Sequence, residues 1–288
     1  MARTLQSGRR SQVLVAAPGH PEPQLVYEDS HTLFEAPNWA PDGRGLLLNG
    51  DGMLWHLPLE AAAEPAPIAF DGLPPINNDH VLHPDGVSIL MTADDGHVYR
   101  GALTGGPVDR LTPDDGAWHF LHGISPDGRR IAYVEIVGDR PGHLAMLDLA
   151  SGVVDRPDTG SGHLDGPEFS PDGRWVLYNT ESFTDAPGHA QLAMIPDAGG
   201  EPERLAVSDT VDWFPHLSPD GRWGSYIAFP SGTLGHPADL DVVVHIVDAR
   251  DWTTSVQRYP VAGGQGTLNV NSWSPASDRL AFVAYPTA

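Results

Sequence analysis

One four-residue turn recurs along the chain. It reads Ala40-Pro-Asp-Gly43, His83-Pro-Asp-Gly86, Ser125-Pro-Asp-Gly128, Ser170-Pro-Asp-Gly173 and Ser218-Pro-Asp-Gly221, with a degenerate sixth copy at Ser274-Pro-Ala-Ser277. The prolines fall at 41, 84, 126, 171, 219 and 275, at intervals of 43, 42, 45, 48 and 56 residues. A period of this size suits one four-stranded propeller blade per copy. Proline fixes φ at the first turn position, Asp bonds back to the turn backbone, and Gly supplies a positive φ.

An apolar β-run follows each turn: 46–48, 88–91, 131–134, 175–178, 223–229 and 280–283. No stretch shows helical periodicity with caps. Gly 32 and Pro 28 make up about a fifth of the 288 residues, which suits short strands and tight turns better than helices. The expected fold is all-β: a six-bladed β-propeller of four-stranded antiparallel blades, one domain over residues 1–288. The sixth blade runs out of sequence at Tyr285, while 12–17 and 24–28 are strands without a local partner. These N-terminal strands are expected to complete the last blade, so that residues 11–28 close the ring and no sheet edge stays open. The longest interval carries an insertion, Ser231 to Asp241, read as a long loop over one face.

Composition excludes several classes of function. Asp and Glu number 38 against 16 basic residues, all of them Arg, for a net charge of −22. Such a chain repels nucleic acid. Without cysteine there is no disulfide, thiolate metal site or thiol nucleophile. No apolar run approaches the roughly 18 residues of a membrane helix, and Val13–Ala17 is too short for a signal peptide. The expectation is a cytoplasmic protein with no membrane partner. No Gly-x-Ser-x-Gly elbow and no phosphate loop occurs; Gly263-Gly-Gln-Gly266 precedes a strand, so no nucleotide or organic cofactor is expected. Its reading is a close approach of backbone to the axis, with Gln265 pointing at the channel.

Other segments extend the pattern: Glu35-Ala-Pro-Asn-Trp39, Asn77-Asn-Asp-His80, Asp165-Gly-Pro-Glu168, Asp212-Trp-Phe-Pro-His216, Gly235-His-Pro237, and Gly263 to Asn269 ahead of Ser272-Trp-Ser-Pro275. With the repeated turn, they make the chain from about residue 30 onward resemble a cytosolic branch of the TolB-like six-bladed propellers. The chain departs from that pattern at Ala276-Ser277 and at Leu240. The resemblance implies architecture strongly and activity weakly.

Aligned on the turn serine position, the residues just upstream form the inner strand of each blade, which lines the channel. They offer Glu35 and Asn38; Asn78, Asp79 and His80; His119 and His122; Asp165 and Glu168; Asp212, Trp213, Phe214 and His216; and Gln265, Asn269 and Asn271. His80 and His122 lie three residues before the turn position, and Asn38, Glu168 and His216 two before it. His163 and His189 read as solvent-exposed loop residues. The favoured reading is an axial site in which His80, His122, His216 and Glu168 hold a divalent metal (Mn, Zn, Fe, Ni or Ca) and serve as the catalytic set. Glu35, Asn38, Asn78, Asp79, His119, Asp165, Trp213, Phe214, Gln265 and Asn269 would bind a small, hydroxylated, sugar-like molecule for lyase or isomerase chemistry. Oligogalacturonate lyase, a seven-bladed propeller with a His and Gln metal site, supplies the analogy. A second reading is a non-catalytic scaffold that binds a protein or ligand, as TolB does, with Trp213 and Phe214 as the recognition platform. A third is a calcium-dependent lactonase-type hydrolase using Glu35, Asn38, Asn78, Asp165 and Asn269.

Overall fold

A computed structural model describes residues 3–60 and 62–287. Among these residues there is no helix, and the strands form six small sheets arranged as a six-bladed β-propeller. Blade 1 runs Phe34–Trp39, Gly45–Gly50, Met53–Pro58 and Ala66–Ile68 from the axis outward. Blade 2 (Ile76–Leu82 innermost) gains a short fifth strand, Phe70–Asp71, parallel to its outer strand. Blades 3, 4 and 5 begin at Trp118–Ile124, Leu164–Phe169 and Val211–Leu217.

The repeated turn explains the hairpin between the first two strands of each blade. In all six copies the N–H of the fourth residue donates to the C=O of the first, at 2.8–3.1 Å. The glycines carry φ of 69–71°, a type I turn followed by a left-handed residue. The degenerate copy keeps this geometry with Ser277 at φ 60°, and the Ser277 Oγ accepts the Asp220 N–H at 3.0 Å, tying turn six to turn five.

Middle strands are buried on both faces because neighbouring blades cover them. One apolar cluster joins Val13, Val15, Ala281 and Val283 to Phe34, Trp39, Leu46 and Leu48 across the ring closure. Another joins Ala132, Val134 and Met146 of blade 3 to Leu164, Phe169, Val176 and Tyr178 of blade 4. Ser11–Ala16 pairs antiparallel with Leu280–Ala284, and Gln24–Asp29 lies outside it, so the N-terminal strands do complete the last blade.

Two features differ from a uniform repeat. The inner position of blade 6 is filled by residues 267–273, which are not a regular strand and touch the blade through an isolated Trp273–Leu280 bridge. Gly264 and Gly266, at φ 109° and 89°, break the extended run just before it. A Cβ at Gly266 would come within 2.4 Å of Glu35 Oε1, so this backbone approaches the axis as closely as only glycine allows. Every inner strand of blades 1–5 also carries a register shift against its neighbour, between Glu35 and Asn38, Ile76 and His80, Leu121 and Gly123, Asp165 and Glu168, and Trp213 and His216. At three of these bulges the residue four before the turn position has positive φ: Ala36, Gly166 and Phe214. The bulges decide which side chains face the channel.

Candidate functional site at the channel mouth

The inner strands all run from one mouth of the channel toward the repeated turns, at about 3.3 Å per residue. The bulge takes up one residue, so residues five before the turn position sit about 7 Å above those two before it. The upper layer is Glu35, Asn78, Phe120, Asp165, Trp213 and Asn269, one per blade. Five of these six line a cavity of about 270 Å³, and Asp79, His122, Phe214 and Gln265 join them. Trp213 is fully buried behind the wall, 4.5 Å from the His236 ring and 5.6 Å from Phe214. It is a packing residue, so only Phe214 of the expected aromatic pair reaches the cavity.

Electrostatics concentrate on Asp165. Its Oδ1 lies 2.9 Å from His122 Nε2, and its Oδ2 lies 3.3 Å from His236 Nε2 and 3.9 Å from His163 Nε2. Asp79 Oδ1 is 3.9 Å from His122 Nε2 on the other side, and Asn269 C=O takes the His122 Nδ1 at 3.3 Å. Burial opposes a charge on His122, but the charges of Asp79 and Asp165 outweigh it and push the imidazole up to about 9. Burial also works against the Asp165 carboxylate, yet His122 and the surrounding imidazole hydrogen bonds hold it well below the usual range. The Asp79 carboxyl moves the other way: burial raises it, and Asp165 adds to the rise against the opposing charge of His122.

Glu35 is the other titrating group. Burial pushes it up to about 7, even though the Arg3 guanidinium lies 2.5 Å away and opposes the shift. Asn78 and Asn49 each donate to it at 3.3 Å, and Arg3 also reaches the Gln265 C=O at 2.7 Å. Gln265 in turn donates to Asn78, and Asn269 donates to Gln265, both at 3.3 Å. Phe120, Val134, Ile136 and Phe214 form an apolar wall.

The remaining expected site residues lie elsewhere. His80, Asn38, Glu168 and His216 belong to a lower belt. His80 Nδ1 meets Asn38 Oδ1 at 2.7 Å, and Asn38 Nδ2 donates to the Asn271 C=O at 2.8 Å. Asn271 Nδ2 donates to Glu168 Oε1 at 2.6 Å, and Glu168 Oε2 meets His216 Nδ1 at 2.5 Å. The Nε2 atoms of His80 and His216 are buried without a hydrogen-bond partner, and burial pushes His80 down to about 3. Among the described residues, no three donors from His80, His122, His216 and Glu168 lie within 4.8 Å of one another. The axial imidazoles therefore do not form a ready three-donor metal centre. The oxygen set expected for calcium is also divided, because Asn38 lies in the belt and Arg3 covers Glu35. His119 is fully buried outside the channel, bonded to the Gly96 C=O.

Arg3, Asn49, Asn77, Phe120, His163 and His236 line the mouth without having been expected there. His163 is half-buried over Asp165, and His189 is bonded to the carbonyls of Ser208 and Thr210; neither is a free loop side chain. His236 reaches the mouth from the irregular part of the insertion, residues 231–237, whereas residues 238–241, expected as loop, open the strand Ala238–Asp248; the His236 Nδ1 bonds the Gln265 side chain. The spacing five before the turn was a usable signal for Phe120. Nothing local in the sequence marks Arg3 or His163, and His236, although it lies in the Gly235-His-Pro237 segment, has no repeat to align it with the axis; all three reach the cavity from loops.

No family model matches the sequence. A relative from Agrobacterium fabrum, named only as an uncharacterized protein, is 38% identical over 259 residues, spanning 88% of this chain and 85% of its own. A solved structure from Agrobacterium tumefaciens, provisionally named TolB, is 33% identical and superposes with a TM-score of 0.88, covering 97% of this chain and 99% of its own. TolB from Acinetobacter baumannii shares the fold at a TM-score of 0.61 and 20% identity, over 90% of this chain and 65% of its own. The chain belongs to the family of TolB-like six-bladed β-propellers.

Proposed function

We propose that the mouth cavity binds a small, uncharged, polyhydroxylated molecule and moves a proton on it, in lyase or isomerase chemistry. The observation that carries this reading is Glu35: a buried carboxyl poised at about 7, facing a cavity that also holds an ionised Asp165 and a raised Asp79. Environments that drive neighbouring carboxyls apart are how acid and base roles are divided near neutrality. The polar ring of Asn78, Gln265 and Asn269 suits hydroxyl groups, and the wall of Phe120 and Phe214 suits the apolar face of a sugar ring. Trp118, half-exposed and stacked 6.0 Å from Phe120, extends that wall outward.

Glu35, once Arg3 is displaced, takes a proton from the carbon beside a carbonyl. The Asp79 carboxyl gives its proton to the carbonyl oxygen, and an enediol results. Glu35 then gives its proton to the neighbouring carbon while the other enediol hydroxyl returns a proton to Asp79, which isomerises the molecule; or Glu35 gives its proton to a β-hydroxyl, which leaves as water, while the enediol hydroxyl on the former carbonyl returns its proton to Asp79 and restores the carbonyl. His122 is a positioning residue here, since both its ring nitrogens are engaged, and it keeps Asp165 ionised as an acceptor for hydroxyls.

The test is deuterium exchange at carbon, followed by NMR across a panel of neutral aldoses and ketoses, beside ligand-induced thermal shift. Glu35→Gln is expected to lower exchange by about 100-fold or more while the thermal shift persists. Exchange should follow a bell, with a lower limb near 7 from Glu35 and an upper limb from the Asp79–His122–Asp165 cluster as a unit. A thermal shift with no exchange in the unaltered protein would leave a binding propeller without catalysis; exchange unaffected by Glu35→Gln would remove Glu35 from the mechanism.

A further inference from the structure

We propose that Asp115, His119 and Glu135 form a binding site for a borderline divalent cation, Zn2+ above all, on the side of blade 3 that faces away from the cavity. The placement follows from strand alternation. Phe120 and Val134 are cross-strand partners and both line the mouth; their neighbours His119 and Glu135 are also directly paired and turn to the opposite face. Asp115 comes from the loop ahead of the strand, four residues before His119. One ligand atom from each of the three residues lies within 4.8 Å of the others.

His119 points to a ligand independently of the two carboxylates. Its ring is fully buried, stacked on His97 at 5.8 Å and edge-on to Tyr133 at 5.2 Å. Its Nδ1 lies 2.8 Å from the Gly96 C=O, an acceptor, so Nδ1 carries the proton and Nε2 presents a lone pair. That Nε2 is buried, has no hydrogen-bond partner, and lies 3.4 Å from Asp115 Oδ1. An imidazole whose outer nitrogen donates to a backbone carbonyl while the inner one is left bare is the arrangement that orients metal-bound histidines.

The surroundings hold the carboxylate in place. Arg156 grips Glu135 through two bonds of 2.7 Å, and His143 Nε2 lies 3.0 Å from Glu135 Oε2. Asp115, Glu135 and Arg156 together leave one negative charge beside a neutral imidazole, which a cation offsets. The Tyr133 hydroxyl is buried without a partner and feels the charges of both carboxylates; a water on the ion would serve it. One nitrogen and two oxygens, with no thiolate, suit Zn2+ or Co2+, and are too few hard donors for Ca2+.

The experiment is titration of the chelator-treated full chain with Zn2+ by calorimetry and with Co2+ by visible absorption. One ion per chain and a Co2+ d–d band are expected. Asp115→Asn, an exposed and near-isosteric change, should weaken binding at least about tenfold, and His119→Gln should abolish the band. His236→Gln, at the mouth, should leave both unchanged. Absence of a Co2+ band, binding that ignores Asp115→Asn, or binding lost in His236→Gln but kept in Asp115→Asn would each overturn the assignment.

Discussion

Asp165→Asn is expected to cost about 3 kcal/mol of stability near pH 7 and to flatten the alkaline limb of the stability profile. The substitution keeps the size of the side chain and removes its charge. Asp165 is nearly buried, its Oδ1 also accepts the Gly166 N–H at 2.8 Å, and three imidazoles surround it. Removing one partner of a buried pair leaves an uncompensated ion, which typically costs 3–5 kcal/mol. His122 then keeps only Asp79, at 3.9 Å, and should lose its proton near neutrality. In the unaltered protein the imidazole moves from an ordinary 6.5 to about 9 on folding. Its contribution is therefore fully present below about 6.5 and disappears as pH rises through about 9, an amount on the order of 3 kcal/mol. Glu35, also raised, adds to the loss between its ordinary value of 4.5 and about 7. Asp165 itself is depressed, so its contribution is present above 3.8 and lost as pH falls. Urea unfolding from pH 4 to pH 10 reads all three. A variant profile that superposes on the parent, offset by less than about 1 kcal/mol, would mean that Asp165 and His122 do not share a proton in the fold.

How legible this arrangement is in the sequence differs between fold and site. The turn sets blade count and hairpin geometry because each is a local consequence of Pro, Asp and Gly at fixed offsets, and ring closure is legible because the terminal strands have no local partner. Even Ser277, which breaks the motif, adopts the turn's positive φ, held by its neighbours on both sides. The site is harder because a propeller channel has depth. Counting back two and three residues from the turn selects His80, His216, Glu168 and Asn38, which are linked in a belt below the mouth, but also His122, which stands at the mouth against Asp165 because the bulge of its strand falls at a different place. Counting back five selects Glu35, Asn78, Phe120, Asp165 and Asn269, which ring the cavity. Both registers are visible in the sequence; what separates them is the rise of the strand. The bulges add a second obstacle, because a register shift turns His80 toward Asn38 and sends Phe214 into the cavity through a positive φ that a β-strand count would not assign to phenylalanine. Arg3, His163 and His236 come from segments with no repeat to align, and only the closed ring brings them to the same mouth.

His216 tests whether the lower belt is structure or site. Its Nδ1 bonds Glu168, Glu168 bonds Asn271, and Asn271 also donates to the Leu217 C=O at 2.8 Å and accepts from Asn38 through its own C=O. With His80 on Asn38, the chain of bonds crosses blades 2, 1, 6, 4 and 5, and His122 adds blade 3 through Asn269. His216→Ala removes one of the two side-chain donors of Glu168, a residue only 7% exposed, and opens a cavity beside it. We expect a loss of about 3–5 kcal/mol, in the range of a broken buried pair and of a large-to-small core change. Glu168→Leu alone should cost a similar amount, because it strips His216 of its acceptor. The double variant Glu168→Leu/His216→Leu should recover much of that loss, since apolar groups of similar volume need no partner. A double-mutant cycle over Glu168→Leu, His216→Leu and the double variant, by denaturant unfolding, measures the coupling, expected at about 2 kcal/mol or more. Single variants that unfold normally, with no coupling and with mouth ligand binding abolished, would move His216 out of the scaffold and into the site. Strong coupling with the mouth intact would show that the imidazoles deep in the channel fasten the ring, and that the chemistry belongs to the layer above them.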